Sequence, residues 1–223
     1  NNAHEALSDI RVRQAITMAI DKQGILELYN GYGTIVGAPV PPTDPWFEDL
    51  TGLYPYDPDQ ARALLEEAGY GDGLELDFIV PNVYQTADSD FIVSQLGDVG
   101  IEVNLQSVEF PTWGDQVYGN KEYDLTLVLH VEPRDVPNYA NPDYYWNYDS
   151  PRVQELVADA QTAESQDEYV DLMGQAARQI AKDAPTVVLL IWNDIVVAHP
   201  NVAGYPTVDV GTRFDASDIV VAA

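Results

Sequence analysis

The sequence contains no cysteine, few basic residues and no long apolar run. The absence of cysteine excludes thiol catalysis, disulfides and thiolate metal sites. A membrane-spanning helix needs roughly 18 or more consecutive apolar residues, and no stretch approaches that length. The first residues, NNAHEALSD, show neither the basic start nor the apolar segment of a secretion signal. The chain is therefore expected to be a cytoplasmic protein or an internal piece of a longer one.

Charge of one sign dominates the composition. Lys and Arg number 10 against 37 Asp and Glu, which gives a formal net charge of −27. Nucleic acids and anionic membranes are poor partners for such a chain, because binding them requires neutralising cations. The carboxylates are spread along every segment, and salt at about 1 M, with a Debye length of about 3 Å, would screen their repulsion. This pattern predicts a halophilic archaeal protein, and an acidic mesophilic protein is the alternative.

Hydrophobic periodicity predicts an α/β fold. Apolar residues make up 46% of the chain, enough to bury a sizeable core. Helical and alternating patterns follow one another along the sequence, which favours a mixed sheet flanked by helices in a single domain. The predicted strands are 74–80, 101–108, 123–130 and 186–192, with shorter candidates at 194–199 and 217–221.

Two phrases are typical of capped amphipathic helices, RVRQAITMAID and YPYDPDQARALLEEAGY. Asp9 is the predicted N-cap of the first helix. In the second, Asp57 is the predicted N-cap, and Gln60 stands where a capping box has its second member. Taken singly, each helix is ordinary for an α/β domain.

Several sequence phrases occur in the order in which a known family has them. The chain resembles the C-terminal half, or third domain, of family 5 extracellular solute-binding proteins, the receptors of dipeptide, oligopeptide and nickel ABC importers. The resemblance covers nearly the whole chain. Its phrases, in order, are RVRQAITMAID, GYGTIVGAPVPP, YPYDPDQARALLEEAGY, QLGDVGIEVNLQSVEFPTW, KEYDLTLV, YDSPRVQELVADA and AARQIAKDAPTVVLLIW.

This resemblance implies one lobe of a receptor that closes like a clamshell on its ligand. Residues 1–223 would form a single periplasmic-binding-protein-like (type II) α/β lobe, with about 205–223 returning towards a missing N-terminal lobe. The full-length protein would be secreted, lipid-anchored at the cell surface, non-catalytic and without a cofactor. It would bind a small molecule or, as the leading hypothesis, a dipeptide or oligopeptide, and hand it to an ABC permease in the membrane.

The resemblance also indicates where a ligand would bind. After the YDL strand the family carries a tryptophan and, three positions on, an aspartate that pairs with the α-amino group of a peptide. Here these positions fall on His130 and Pro133, and proline cannot hold a cation. Glu132 and Asp135 flank Pro133 and are the candidate substitutes. If neither serves, the ligand is not a standard peptide with a free amine.

Other candidate ligand contacts lie in and after the same loop, each with a structural alternative. His130 either contacts the ligand or is a partly buried loop residue. Arg134 either pairs with a ligand carboxylate or neutralises acidic neighbours. Tyr139 and Trp146 belong to an aromatic run that either lines the cleft or packs the loop onto the domain.

A second group of candidates follows the first predicted strand. Asn82 and Tyr84 come shortly after residues 74–80. Open α/β sheets bind ligands at the carboxyl ends of their strands. In the resembled family this turn also faces the cleft, so both residues are predicted to contact the ligand.

Other functions have weaker support in the sequence. No phosphate loop, nucleophile elbow or metalloprotease helix is present, so an enzyme is not predicted. His4, His130 and His199 are too scattered in sequence to predict a metal site, although His130 keeps a nickel or nickel-chelate receptor as an alternative. An aromatic cleft without an amine anchor would suit an oligosaccharide receptor. Outside the family, a non-catalytic sensing or scaffold module is the remaining alternative.

Overall fold

The computed structural model describes residues 1–132, 134–193, 195–205 and 215–222. The helices are α1 Ile10–Ala19, α2 Lys22–Leu28, α3 Pro58–Glu67, α4 Thr86–Asp98, α5 Phe110–Trp113, α6 Pro151–Gln161 and α7 Gln166–Asp183. The strands are β1 Gly33–Thr34, β2 Leu74–Pro81, β3 Ile101–Val108, β4 Leu125–Thr126, β5 Ile191–Trp192, β6 Val202–Ala203 and β7 Val220–Val221. A π-helical turn, Gly114–Gly119, extends α5. The α/β class is confirmed.

The main sheet has three parallel strands in the order β3-β2-β4. β2 and β3 pair along their whole length, from Leu74↔Ile101 to Pro81↔Val108, as the two apolar alternations predict. Antiparallel pairing occurs in two short separate ladders, β1 with β5 and β6 with β7. The parallel and antiparallel pairs of the predicted mixed sheet therefore lie in different sheets.

Each face of the main sheet is covered by its own hydrophobic core. On one face, Leu76 and Phe78 of β2 pack with α1, α3 and α4 in a mainly aliphatic core. On the other face, Ile79 packs with α6, α7 and the aromatic residues that precede α6. A parallel sheet buries both faces in this way because its crossover connections place structure on both sides.

Side-chain caps start the two helices that the sequence singles out. The Asp9 carboxylate accepts a hydrogen bond from the Arg11 N–H, and the Asp57 carboxylate accepts one from the Gln60 N–H at 2.9 Å, which confirms both N-caps. The prediction of a full capping box was wrong, because the Asp57 N–H donates to the Met18 carbonyl at 2.8 Å. That bond ties the start of α3 to the end of α1.

The predicted strand 123–130 is much shorter in the structure. Only Leu125–Thr126 joins the sheet. The Thr126 hydroxyl donates to the Ile79 carbonyl at 2.7 Å, and Pro81, further along β2, has no N–H to offer to a longer ladder. Residues 127–130 therefore leave the sheet and form the start of the loop beyond it.

The predicted central strand 186–192 is likewise reduced to its last two residues. Ile191 and Trp192 pair with β1, away from the main sheet. The preceding apolar side chains of Val187, Leu189 and Leu190 pack partly buried against the aliphatic core. Their apolar character therefore reflects helix and sheet packing rather than a place between two strands.

The last part of the chain contains one more short ladder. Residues 195–199 do not form the predicted strand, and Asp194 lies outside the described residues. Of the predicted strand 217–221, Val220–Val221 pairs with Val202–Ala203. Residues 206–214 and 223, most of the expected return segment, also lie outside the described part. No described helix is long and apolar enough to cross a membrane.

Candidate ligand-binding edge

The carboxyl ends of the parallel strands meet at one edge of the main sheet. Asn82 and Tyr84 follow β2, while Leu129 and His130 lie beyond β4. The Tyr84 hydroxyl accepts a hydrogen bond from the Leu129 N–H at 3.3 Å, which joins the two loops. Asn82 is exposed, and its amide donates to Glu109 beyond β3 at 2.8 Å. All three strand ends thus bring polar groups to the edge where such sheets bind ligands.

His130 is the centre of a polar cluster at this edge. Its Nδ1 lies 3.1 Å from Asp135 Oδ1 and 3.4 Å from Glu132 Oε2. Its Nε2 lies 2.8 Å from the Tyr145 hydroxyl, so both ring nitrogens have partners. The side chain of Glu132 is 46% exposed, against 20% for His130 and 18% for Asp135. Solvent therefore reaches this cluster from the side of Glu132.

The two carboxylates control the protonation of His130. Burial disfavours the imidazolium, but the hydrogen bond to Asp135 and the charges of Asp135 and Glu132 outweigh it and raise the pKa of His130 above its ordinary value of 6.5. The same Asp135 oxygen accepts a hydrogen bond from the Asn138 amide at 3.0 Å, which holds the carboxylate in place. The cluster therefore favours a positive charge at this point.

Aromatic rings lie beneath His130. Tyr145 stacks on it at a centroid distance of 5.9 Å, and the Trp146 ring lies 5.3 Å away. Trp146 in turn stacks on Tyr139 at 4.3 Å, and the Tyr139 hydroxyl is 2.7 Å from the Thr186 hydroxyl. Tyr139 and Trp146 are only 3% and 4% exposed, because their rings pack into the core below. They support His130 from inside the domain instead of lining an open aromatic cleft.

Two more tyrosines belong to this edge, Tyr145 from the aromatic run and Tyr118, which the sequence did not single out. Tyr145 supplies the hydroxyl at His130, and burial raises the pKa of Tyr145, which keeps its phenol protonated. Tyr118 is 48% exposed and its ring lies 5.3 Å from that of Tyr145. Trp113 and Val117 lie one helical turn apart on the buried face, so the next residue, Tyr118, lies at the border of that face. Helical spacing could therefore have pointed to Tyr118.

Arg134 makes its contacts within the domain. Its Cζ lies 4.8 Å from the centroid of the Trp46 ring, a cation–π geometry. Its Nε is 3.7 Å from Asp44 Oδ1, and half of the arginine side chain is exposed. This arrangement corresponds to the second of its two predicted roles, in which it neutralises an acidic residue. Pairing with a ligand carboxylate stays a prediction.

The position where the family pattern places the amine anchor, Pro133, is not among the described residues. On either side of it, Glu132 and Asp135 direct one carboxylate oxygen each towards the same atom, His130 Nδ1. The two candidate substitutes therefore lie together at one point of the edge. Their role towards a ligand stays a prediction.

The sequence is similar to known transport receptors. Residues 1–152 match the family model described as bacterial extracellular solute-binding proteins, family 5 middle. Heme-binding protein A of Haemophilus influenzae is 35% identical over 133 residues, which cover 56% of this chain and 24% of that protein. The dipeptide-binding protein of Escherichia coli is 25% identical over 230 residues, which cover 92% of this chain and 42% of that protein.

The fold is that of solved periplasmic binding proteins. The ABC transporter-associated periplasmic binding protein DppA from Helicobacter pylori, in complex with peptide STSA, matches with a TM-score of 0.81 at 23% identity, over 99% of this chain and 46% of that one. The chain thus spans less than half the length of each of these three relatives. Because the family model matches about two thirds of the sequence, the chain belongs to family 5 of the bacterial extracellular solute-binding proteins.

Proposed function

We propose that the chain is the ligand-binding lobe of an ABC-importer receptor for dipeptides or oligopeptides. The observation that carries this proposal is the convergence of the Glu132 and Asp135 carboxylates at the edge of the main sheet. Two carboxylates suit the α-ammonium group of a peptide, because burying a charge without a partner is costly. The likeness to a dipeptide-binding protein and to a peptide complex supports the same ligand class.

The geometry suggests how a peptide amine would be held. Asp135 is fixed by Asn138, so its carboxylate is oriented before a ligand arrives. Glu132 is half exposed, and turning towards a ligand ammonium would exchange its contacts with the Val131 N–H at 3.1 Å and His130 Nδ1 at 3.4 Å. Asn82, on the neighbouring strand end, adds an exposed amide for the peptide backbone. The amine would then bind beside Pro133 instead of at it.

We propose further that residues 1–223 act as one of two lobes, with 205–223 leading back to the other. An exposed apolar flank near that segment supports this arrangement. Ile195 is 62%, Val197 92% and Val221 66% exposed, and such apolar surface marks a contact with another part of a protein. Ligand contacts from both lobes would stabilise the closed form only, so this lobe alone should bind ligand weakly or not at all.

The cellular setting is proposed from the family to which the chain belongs. It comprises a non-catalytic role, a place outside the cell and delivery of the ligand to an ABC permease. A lipid anchor at the cell surface extends this proposal. A halophilic archaeal source is proposed from the net charge of −27, spread along the whole sequence.

Calorimetry on the longer receptor that contains this lobe tests the ligand class. The panel consists of dipeptides and oligopeptides with free or acetylated amines, nickel(II) salts and cello-oligosaccharides. We expect micromolar binding of free-amine peptides, weakened about tenfold or more by acetylation, by Glu132→Ala or by Asp135→Ala, which is the scale of a lost charge-assisted hydrogen bond. Asp143→Ala, which removes an exposed carboxylate of a nearby turn, is the matched control.

Three results would contradict these proposals. Peptide affinity that is unchanged in both Glu132→Ala and Asp135→Ala would refute the amine site. Binding of only nickel or only oligosaccharides would refute the peptide class. Micromolar peptide binding by the 223-residue chain alone would refute the view that a second lobe is needed.

A further inference from the structure

We infer that His130 couples peptide binding at this edge to the release of a proton, so that the receptor binds a peptide amine more weakly as the pH falls. This coupling rests on the proposed function and adds a regulation to the same site. His130 Nδ1 lies 3.1 Å from Asp135 Oδ1 and 3.4 Å from Glu132 Oε2. A protonated His130 therefore contacts the same two carboxylates that are proposed to bind the ligand ammonium.

The surroundings of His130 stabilise its protonated form. Both ring nitrogens of an imidazolium are donors. Nδ1 has the two carboxylates as acceptors, and Nε2 has the Tyr145 hydroxyl at 2.8 Å. Asn138 holds Asp135 in place through its hydrogen bond to Oδ1. Burial opposes the charge, but the two carboxylates outweigh burial and raise the pKa of His130 above 6.5.

The neutral form of His130 keeps the same partners. In the tautomer with its proton on Nδ1, the ring donates to Asp135 and accepts a hydrogen bond from the Tyr145 O–H at Nε2. The Tyr145 phenol has this proton to donate, because burial raises its pKa. Loss of one proton therefore removes a charge from His130 without breaking either hydrogen bond. The ring can titrate where it lies.

A bound peptide amine would shift this equilibrium towards the neutral ring. An ammonium group beside Glu132 and Asp135 is a second cation within a few ångströms of the imidazole, and like charges disfavour the charged form. The side chains of His130 and Asp135 are only 20% and 18% exposed, so salt screens this repulsion poorly. The pKa of His130 therefore falls when the amine binds, and one proton passes from the ring to the solvent.

The other groups that face His130 do not titrate in the same pH range. Tyr144 and Tyr145 lie against the ring, and burial raises the pKa of both phenols. The Trp146 ring beside them carries no titratable group. Arg134, although close in sequence, directs its Nε towards Asp44 at 3.7 Å. Histidine is the side chain whose ordinary pKa lies between pH 5 and 8.

The sign of the pH dependence follows from these shifts. Affinity should rise with pH between the lower pKa of His130 in the complex and its higher pKa in the unbound receptor, and His130 should contribute no change outside that window. Exchange of one proton limits the change to about tenfold for each pH unit. We expect peptide affinity to be about threefold or more weaker at pH 5.5 than at pH 7.5.

Calorimetry on the longer receptor that contains this lobe counts the protons. Dialanine and trialanine, both with free amines, are titrated at pH 6.5 in two buffers of different ionisation enthalpy. Because the pKa of His130 is raised above 6.5, most unbound receptors carry the imidazolium at this pH. Binding should therefore release about half a proton or more per peptide. Titrations at pH 5.5 and 7.5 then give the affinity ratio.

Variants assign the proton to His130. His130→Gln keeps a side-chain amide but cannot titrate, so its affinity ratio between pH 7.5 and 5.5 should fall below about twofold. His199→Gln, the matched control, removes an exposed histidine and should retain the ratio of the unchanged receptor. The proton count needs no variant, so it decides even if His130→Gln does not fold.

The outcomes separate this coupling from the proposed function. Peptide binding with no proton released at pH 6.5, or with a proton taken up, would overturn the coupling and leave the peptide receptor intact. An unchanged affinity ratio in folded His130→Gln would also overturn it, because another group would then titrate. Failure of both peptides to bind at any pH would contradict the peptide class and the coupling together.

Discussion

Lys22 is a half-buried cation without a compensating charge, and replacing it should stabilise the protein. It is one of three lysines in the chain and occupies the first turn of α2. It lines a cavity of about 20 Å³ together with Leu50, Leu53 and Ile180, and no carboxylate among the described residues lies within ion-pair distance of it. Burial lowers the pKa of Lys22 from 10.5 to about 8. A positive charge is also unfavourable at the N-terminus of a helix.

The magnitude follows from that pKa. At about 1.36 kcal/mol for each pH unit, a fall from 10.5 to about 8 corresponds to roughly 3 kcal/mol of destabilisation at pH 7. Part of this is avoided because a flexible lysine stem lets the ammonium reach towards water. We therefore expect Lys22→Met, of similar length, to raise the free energy of unfolding by about 1–3 kcal/mol at pH 7.

The pH dependence separates this effect from better packing. Between about pH 8 and 10.5 the unfolded chain binds the Lys22 proton and the folded chain releases it, so stability rises with pH in that window. The destabilisation is fully present below pH 8 and is gone above 10.5. The advantage of Lys22→Met in urea denaturation should therefore shrink as the pH rises from 7 to 10.5.

Lys182→Met is the matched control, because it removes the same charge from an exposed position in the last turn of α7. Its effect should stay within about 0.5 kcal/mol at both pH values, as for ordinary surface changes. Equal gains from Lys22→Met and Lys182→Met would mean that the local burial of Lys22 is not responsible. A gain from Lys22→Met that does not change with pH would refute the reasoning.

Two further predictions concern the whole domain. The melting temperature should rise between dilute buffer and molar potassium chloride, because screening reduces repulsion within a chain of net charge −27, and a melting temperature independent of salt would end the halophile proposal. Gly37→Ala should lower the free energy of unfolding by about 1–3 kcal/mol, because a Cβ there would overlap the backbone of Leu50. Its matched control, Gly97→Ala in α4, meets open space and should stabilise by about 0.5–1 kcal/mol in the same urea titration.

The sequence predicted correctly the helix caps and the strand that depend on residues close together in the chain. The caps Asp9 and Asp57 and the strand Ile101–Val108 are found where the sequence places them. Strand length was predicted less well, because it depends on a partner that is distant in sequence. The 123–130 strand ends early owing to Pro81 on its neighbour, and nothing within 123–130 itself could show that.

The candidate site, too, was predictable from the sequence only in part. The family resemblance pointed to His130, Glu132 and Asp135 as neighbours in one loop, and a loop of six residues already limits how far apart they can lie. The aromatic run was visible as composition, but its burial was not. The residue types of Tyr139 and Trp146 are compatible with lining a cleft or with filling a core. The structure shows both rings buried in the core against α6 and α7.

The sequence by itself determined the α/β class, the acidic surface, the helix caps and the family, since each depends on residue types or on short-range order. The tertiary structure alone decided that two carboxylates meet at His130 Nδ1, that Tyr145 holds the opposite nitrogen, and that Tyr84 joins the ends of β2 and β4. These contacts depend on the directions of side chains, and those directions are fixed by close packing with residues far away in the chain.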